Sequence, residues 1–593
     1  MSPIANVFLN KSIKKNGAER VLFLLLFSYV ILRAIYVPPL HDEVATFFHY
    51  IETGDIWSDS AMLDANNHLL NSYLSRFSYL IFGEGLWALR LPNVLTYAIY
   101  FWSVVSIVKQ LKTSFAYWMA LLALNTLPFV IEYFAMTRGY GLGIAFLMGS
   151  IAWIVKWQQH GKTIYLMAGM LLAWLCVFAN LIFINSFVLL AFFVVVKSIS
   201  TFSLQKSWFS ILTVVSSSLA LWPLITFGLR MKNAGALYYG SLDGLWEVTG
   251  KSLSNYTLFS AHVWIKWMLV AVIVSIIIWS LRYMITNKFR KSLASVPLFL
   301  VYLFLGNLVV TLILAWFFEV NYPEDRAGIH FVLFFILSIT FLLDDLSVPI
   351  VSVVLFFFPL SFLVKFNFSQ TVVTPDQTLS YEFYRKVRKK LEHHQSVQIY
   401  PTQSLIWPYY ERSQSDKILV KMGREVEPSQ DMILTRKPFY SQAEHTDFRS
   451  ILFDPLTADH LLQNKRDRVV RYSVNFELNE SYETGRQELA RHKVEQGKFL
   501  TIHLKGLIYV QGVNDITVEI EGLNSAGERE HFIYFPLRWY YGSKANEYKF
   551  ELNQGITLHQ YDIDELRISL INQTGSLIKV EDSDLYLEYL SDQ

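Results

Sequence analysis

The chain has 593 residues, 53% hydrophobic and 17% charged, with a mean hydropathy of +0.32. That balance excludes an ordinary water-soluble globular protein, and a formal net charge of +2 leaves no electrostatic footprint for nucleic acid. The single cysteine, Cys176, excludes an internal disulfide.

Apolar stretches follow one another to about residue 366, and the chain turns polar and charged beyond it. A helix needs about 20 apolar residues to cross a bilayer. Eleven stretches come near that length: 21–37, 90–108, 114–131, 139–156, 163–178, 180–197, 208–227, 263–281, 295–318, 329–344 and 347–366. The first lacks a small-residue cleavage site after it and reads as a helix, not a signal peptide. Over 163–197 one long helix or two short ones are open, with a tight turn expected near Asn180. With the N-terminus inside, Lys11, Lys14, Lys15, Arg20, Lys109, Lys112, Lys156, Lys162, Lys197, Lys206, Arg282, Lys288, Arg290 and Lys291 face the cytoplasm, as the basic-residue bias requires. An odd number of spans then puts the C-terminal half outside. The expected organisation is a transmembrane domain over 1–366 with a long outer connection at 38–89. The expected setting is an integral protein of a bacterial inner membrane, with its C-terminal part periplasmic.

The 38–89 connection opens on His41, Asp42 and Glu43. Val44, Phe47, Phe48 and Ile51 recur at helical spacing, as do Leu70, Tyr73, Leu74, Phe77 and Ile81. Both stretches are expected to be amphipathic helices lying in the interface. Asp42 has an ordinary alternative, as N-cap of a helix beginning at Glu43. "DANNHLL" follows, with Asp64, Asn66, Asn67 and His68, where a solvated turn is the alternative. "EYFAMTRGYG" carries Glu132, Tyr133, Arg138 and Tyr140, which an interfacial aromatic belt would also explain. The short "FFEVNYPEDRAGIHF" carries Glu319, Glu324, Asp325, Arg326 and His330, a charge density that a plain connector does not need. All these groups are expected on the outer rim. Arginine's planar fork suits phosphate or pyrophosphate, and a carboxylate suits removal of a hydroxyl proton. Glycosyl transfer from a lipid-phosphate sugar requires both.

Beyond the last span, residues 370–460 read as a small α/β unit. "DQTLSYEFYRKVRKKLEHH" is its amphipathic helix, and "SVQIYP", "KILVKMG" and "DMILTRK" are short strands. Residues 466–593 read as a jelly-roll-like β-sandwich of alternating strands, among them "HFIYFPLRWYY". The aromatics of "YFPLRWYYG", Tyr534 to Gly542, either stack on sugar rings or, the favoured reading, form core or pack on the membrane half.

Over roughly residues 15–366 the chain resembles integral-membrane glycosyltransferases of the GT-C superfamily, in the bacterial branch related to protein mannosyltransferases and aminoarabinose transferases. The resemblance rests on several features: the acidic pair Asp42-Glu43 opening the first outer loop, the interfacial helices of that loop, and "NNHLLN" (Asn66 to Asn71) in place of an "HPPL"-like element. It rests also on "RGY" at Arg138-Gly139-Tyr140 and a "YxxxR" element from Tyr322 to Arg326. It implies a polyprenyl-phosphate sugar donor, membrane lipids as surroundings, and inverting transfer to a protein, lipid or polysaccharide acceptor. It also implies Asp42 as general base, with Glu43 beside it. Arg138 and Arg326 would hold the donor phosphate, with Tyr140 and His330 placed with them, and His41, His68, Asn67, Glu324 and Asp325 would line the rest of the cleft. Leu69 and Leu70 replace the two prolines of "HPPL", which puts the family role of His68 in doubt. The family is divided over metal use; His41, Asp42, Glu43 and His68 are the candidate ligands of a divalent ion, and no cofactor is fixed. A transporter or flippase for a lipid-linked glycan would place ionisable groups at mid-membrane, whereas Arg33, Arg90, Lys266 and Lys365 fall near outer ends. A non-catalytic scaffold of a glycan-assembly complex is the other alternative.

Overall fold

A computed structural model of the chain describes residues 15–59, 62–201, 203–287, 292–436, 447–465, 468–477, 482–483, 485–494, 499–572 and 574–592. Lys11, Lys14, Lys288, Arg290 and Lys291 lie outside the described residues. The chain divides into two compact units, Met1–Val37 with His49–Val373, and Pro38–Phe48 with Thr374–Gln593.

The first unit is helical, with helix at each of the eleven expected stretches. Among the described residues, seven helices are long and apolar enough to cross a membrane, or eight if the bent pair Ser114–Thr126 and Pro128–Ala135 is one span. The 52° bend falls at Pro128, which has no N–H for the ladder and whose ring crowds the preceding turn. Thr163–Ala179 and Pro349–Val364 are apolar but shorter. Lys15–Tyr36 is long enough but carries Glu19, Arg20 and Arg33. Asn180 separates the helices on either side of it: its backbone is extended, and its Oδ1 accepts from the Ile182 N–H at 3.1 Å.

Two groups of contacts mark the two ends of this unit. At one end Lys109 pairs with Glu19 (3.0 Å), Lys112 with Asp345 (2.8 Å), and Lys197 donates to the Leu293 carbonyl (2.9 Å). At the other, Arg33 pairs with Glu132 (3.0 Å) and donates to the Asn367 carbonyl (2.8 Å), while Arg138 donates to Asn66. Short connections between antiparallel helices produce this segregation, and it collects the described basic loop residues Lys109, Lys112 and Lys197 at one end.

The Leu69–Phe82 helix is built inside out. Asn71, Ser72, Ser75 and Ser78 are buried, and the Ser75 and Ser78 hydroxyls donate to the Leu89 and Ala88 carbonyls at 2.9 and 2.6 Å. Tyr73, Phe77, Leu80 and Ile81 are exposed, Phe77 at 66%. A helix in water shows the reverse; this one suits the apolar edge of a bilayer. The other stretch expected to lie in the interface behaves differently. It is a six-residue helix, His41–Thr46, running into a π turn over Phe47–Ile51, and Val44, Phe47, Phe48 and Ile51 are all buried in protein. Its apolar residues are core residues, so the interfacial expectation fails there.

The second unit holds three sheets. The first is mixed, built from β1 (Val397–Ile399), β2 (Lys421–Met422), β3 (Met432–Arg436), β4 (Phe448–Asp454) and β5 (Asp459–Asn464) in the order β2-β1-β3-β5-β4. The Tyr381–Arg388 helix precedes it, with Ser380 accepting from the Phe383 N–H as N-cap and Phe383, Tyr384 and Val387 buried. "KILVKMG" gives only the two strand residues of β2. The other two sheets face each other. One is β11 (Arg529–Pro536), β10 (Ile516–Leu523), β13 (Glu565–Asn572) and β8 (Arg486–Lys493). The other is β12 (Glu547–Thr557), β9 (Phe499–Gln511), β14 (Leu577–Asp592) and β6 (Arg468–Glu477), with β7 (Tyr482–Glu483) beside β14. All their pairings are antiparallel. Burial alternates along β11 and the first half of β10, whereas β9 is buried without a break from Phe499 to Leu504; Leu500, Ile502, Leu504, Val518, Ile520, Ile568 and Leu570 are all core. "HFIYFPLRWYY" is a strand only to Pro536; Leu537–Tyr541 is a short helix, because a proline cannot donate to a further ladder bond. Phe535, Trp539 and Tyr540 are core, while Tyr534 is 41% exposed.

Candidate functional site

In the first unit several of the expected site residues gather where the Gly139–His160 helix begins. Arg138 is its N-cap by position, with an extended backbone, and its side chain makes no cap bond. The guanidinium donates to Asn66 Oδ1 and lies over the Tyr140 ring, 5.8 Å from the centroid. The Tyr140 ring meets His68 edge-on at 4.9 Å and Tyr133 at 5.1 Å. Two glycines permit this approach. A Cβ on Gly139 would stand 2.2 Å from the Ala179 carbonyl oxygen and 2.6 Å from His68 Cβ, and one on Gly141 would stand 2.4 Å from the Tyr133 carbonyl oxygen.

Arg326 lies in the Asp325–Gly328 turn that leads into the Ile329–Asp345 helix. It is within electrostatic reach of His68 and of Tyr133, as is Arg138. Burial, reinforced by these two arginines, holds the His68 imidazole well below its usual range, so it is neutral. His330 follows one turn after Arg326; its ring meets Phe183, the ring that a Cβ on Gly143 would strike. His68 Nε2, Tyr133 Oη and His330 Nδ1 are buried and have no hydrogen-bond partner among the described residues, which is uncommon for buried polar atoms; the first two lie within electrostatic reach of both arginines.

Other expected site residues have structural work. Asn67 donates to the Ile56 carbonyl (2.7 Å) and to Ser58, and accepts from Ser72, so its side chain staples its own loop. Glu132 pairs with Arg33 and accepts from the Val372 N–H at 2.8 Å, clamping the chain after the Pro349–Val364 helix. Asp325 accepts from the Tyr239 hydroxyl at 3.1 Å. Partial burial and the neighbouring Asp325 raise the Glu324 carboxyl above its usual range.

His41, Asp42 and Glu43 belong to the second unit. The helix begins at His41, with Leu40 as N-cap, so Asp42 is not the cap. Glu43 is fully buried, and its carboxylate accepts from the Leu40 N–H at 3.1 Å, the reach-back half of a capping box. Asp42 is half-buried. The segment is fixed by its end: Phe48 stacks on Trp539 at 5.5 Å, Arg412 lies over both Phe47 and Phe48, and Arg538 donates to the Phe48 carbonyl. Among the described residues no three His, Cys, Asp or Glu side chains are grouped to hold a metal ion. His41, Asp42, Glu43 and His68 therefore do not form such a group.

No protein-family model matches the chain, and no curated protein matches it. Among solved structures the chain is similar in build to ArnT from Cupriavidus metallidurans. The apo state gives 12% identity over 76% of this chain and 98% of that one, with a TM-score of 0.38. The form bound to undecaprenyl phosphate gives 13% identity over the same shares, with a TM-score of 0.42. The arabinosyltransferase EmbB from Mycobacterium smegmatis is similar at 12% identity over 98% of this chain and 66% of that one, with a TM-score of 0.33.

Proposed function

We propose that the chain is a membrane glycosyltransferase that moves a sugar from a polyprenyl-phosphate donor to a hydroxyl of an extracytoplasmic acceptor, with inversion. The observation that carries the proposal is the convergence of Arg138 and Arg326 with His68 and Tyr133, whose buried Nε2 and Oη have no hydrogen-bond partner among the described residues, at the start of the Gly139–His160 helix. Guanidinium forks and a helix N-terminus favour a phosphate. A neutral imidazole and a phenol add donors without competing charge. His68 immediately precedes the inside-out Leu69–Phe82 helix, which supports a ligand with a lipid tail.

A phosphodiester donor carries one negative charge, and the phosphate gains a second as the sugar's anomeric C–O bond breaks. Bonds from Arg138 and Arg326 strengthen as that charge develops, which lowers the barrier rather than merely binding the substrate. Asp42 takes the acceptor hydroxyl's proton, and the resulting oxygen attacks the anomeric carbon from the face opposite the phosphate. Glu43 is committed as a cap, so the base role falls to Asp42. Tyr140 holds the Arg138 guanidinium by its ring. The one-sided basic residues support a cytoplasmic N-terminus and a periplasmic second unit in a bacterial inner membrane.

The test is binding of undecaprenyl phosphate to the full-length protein in detergent. Arg138→Ala and Arg326→Ala are each expected to weaken it about 10- to 100-fold, the worth of a hydrogen bond to a charged group. Asp42→Asn should leave it unchanged. Wild-type binding by both arginine variants would refute the donor-site reading.

A further inference from the structure

The connection over 234–262, between the Trp222–Asn233 and Val263–Thr286 helices, has no charge cluster to draw attention to it. In the structure it straps the 319–328 loop that bears Arg326. The Tyr322 N–H donates to the Ser241 carbonyl (2.9 Å), the Thr249 hydroxyl to the Pro323 carbonyl (2.6 Å), and the Asp325 N–H to Ser252 Oγ (2.9 Å). Gly240 makes the contact possible: its φ is +83°, and a Cβ there would stand 2.2 Å from the Tyr322 carbonyl oxygen. On the other side Asp325 is held at φ +48°, a left-handed conformation unusual for a residue with a side chain. The strap therefore fixes an unfavourable backbone immediately before Arg326.

Tyr239 is the point where the strap touches the charge itself. Its hydroxyl donates to Asp325 Oδ2 at 3.1 Å, and its ring lies under the Arg326 guanidinium, 5.0 Å from the centroid. A guanidinium stacked on a ring face keeps its N–H edge in the plane, available to an oxyanion. We infer that Tyr239 is a positioning residue of the donor site, presenting Arg326 to the lipid-linked phosphate through its ring face, with the 234–262 strap as its support. The inference rests on the proposed phosphate role of Arg326.

Binding of undecaprenyl phosphate to the full-length protein in detergent tests it. Loss of a cation–π contact corresponds to about 2- to 30-fold, so Tyr239→Leu should weaken binding by that factor. Tyr239→Phe, which keeps the ring, should retain at least about half of the affinity. A fold defect would weaken binding whatever residue 326 is. Tyr239→Leu in an Arg326→Ala background should instead cause no further loss, because there is no guanidinium left to aim. Full binding by Tyr239→Leu, a Phe variant as weak as the Leu variant, or an undiminished second loss in the Arg326→Ala background would each overturn the positioning role while leaving the donor site standing. Wild-type binding by Arg326→Ala would remove both.

Discussion

The Leu69–Phe82 helix and strand β10 are both amphipathic, and they turn opposite faces inward. The helix buries Asn71, Ser72, Ser75 and Ser78 and exposes Tyr73, Phe77 and Ile81; the strand buries Ile516, Val518 and Ile520 and leaves Thr517 and Glu519 partly exposed. The same chemical alphabet serves two solvents. In lipid there is no hydrophobic gain from burying an apolar side chain, so small polar residues that bond neighbouring carbonyls make the protein–protein face. In water the apolar residues must leave the surface. In the proposed reaction the division extends to function. Of the residues proposed for it, Arg138 and Arg326 belong to the first unit and Asp42 to the second.

The sharpest way to break that comparison is Asp42→Asn. Turnover with a radiolabelled polyprenyl-phosphate sugar should fall about a hundred- to ten-thousand-fold, while melting temperature and lipid-phosphate binding hold. A variant that turns over like wild type would take the base away from Asp42 and from the second unit. Next in size are changes to the water-type core. Ile502→Ala removes a fully buried side chain between the sheets and should cost about 2–5 kcal/mol in denaturant unfolding. A cost near zero would mean that the sandwich is not packed as its alternation implies.

The corresponding change in the lipid-type unit reverses the chemistry. Ser75→Leu adds apolar volume to a buried position and loses the bond to Leu89, so it should destabilise the protein in micelles by about 1–3 kcal/mol. Phe77→Leu, on the exposed face, should stay within about 0.5 kcal/mol. If the serine variant were the more stable of the two, the inside-out assignment would fail.

A pH dependence sharpens the picture of the second unit. Burial raises the Asp459 carboxyl to about 6, against the pull of Arg436 at 2.9 Å. The folded state then holds this proton more tightly than the unfolded chain does. Its contribution is complete below about pH 4 and is lost as pH rises through about 6. Melting curves across that window should show stability falling as pH rises, and Asp459→Asn should flatten the fall. An unchanged slope in the variant would assign the titration to another group.

Much of the fold was legible because it depends on local periodicity. Runs of apolar residues near bilayer length became helices, Asn180 broke the helix pair it was expected to break, and alternating strands with Gly and Asn turns made two facing sheets. The site was legible only by type. Arg138, Tyr140, Arg326, His68 and His330 stand out as charged or polar groups at helix starts, and the first four lie near one another, while the contacts of the His330 ring are with Phe183, Phe331 and Phe334. Asn67 and Glu132 stand out equally, yet Asn67 staples its loop and Glu132 clamps the segment after the Pro349–Val364 helix. Tyr239 gave no signal at all, because a tyrosine in an uncharged stretch is indistinguishable from any interfacial aromatic until its partner is known.

The sequence by itself determined where the chain is apolar enough for a membrane, where it becomes a water-type sandwich, and which residue types sit at the helix ends. Those properties belong to composition and to periods of a few residues, which the backbone geometry of helix and strand reads directly. Tertiary structure alone decided that Val44, Phe47 and Phe48 are core rather than interfacial, that the "HDE" segment packs with residues hundreds of positions away, and that Arg326 rests on Tyr239. These are choices of partner. A side chain's role follows from what its end touches, and contacts between residues far apart in the chain leave no mark on the local pattern at either one.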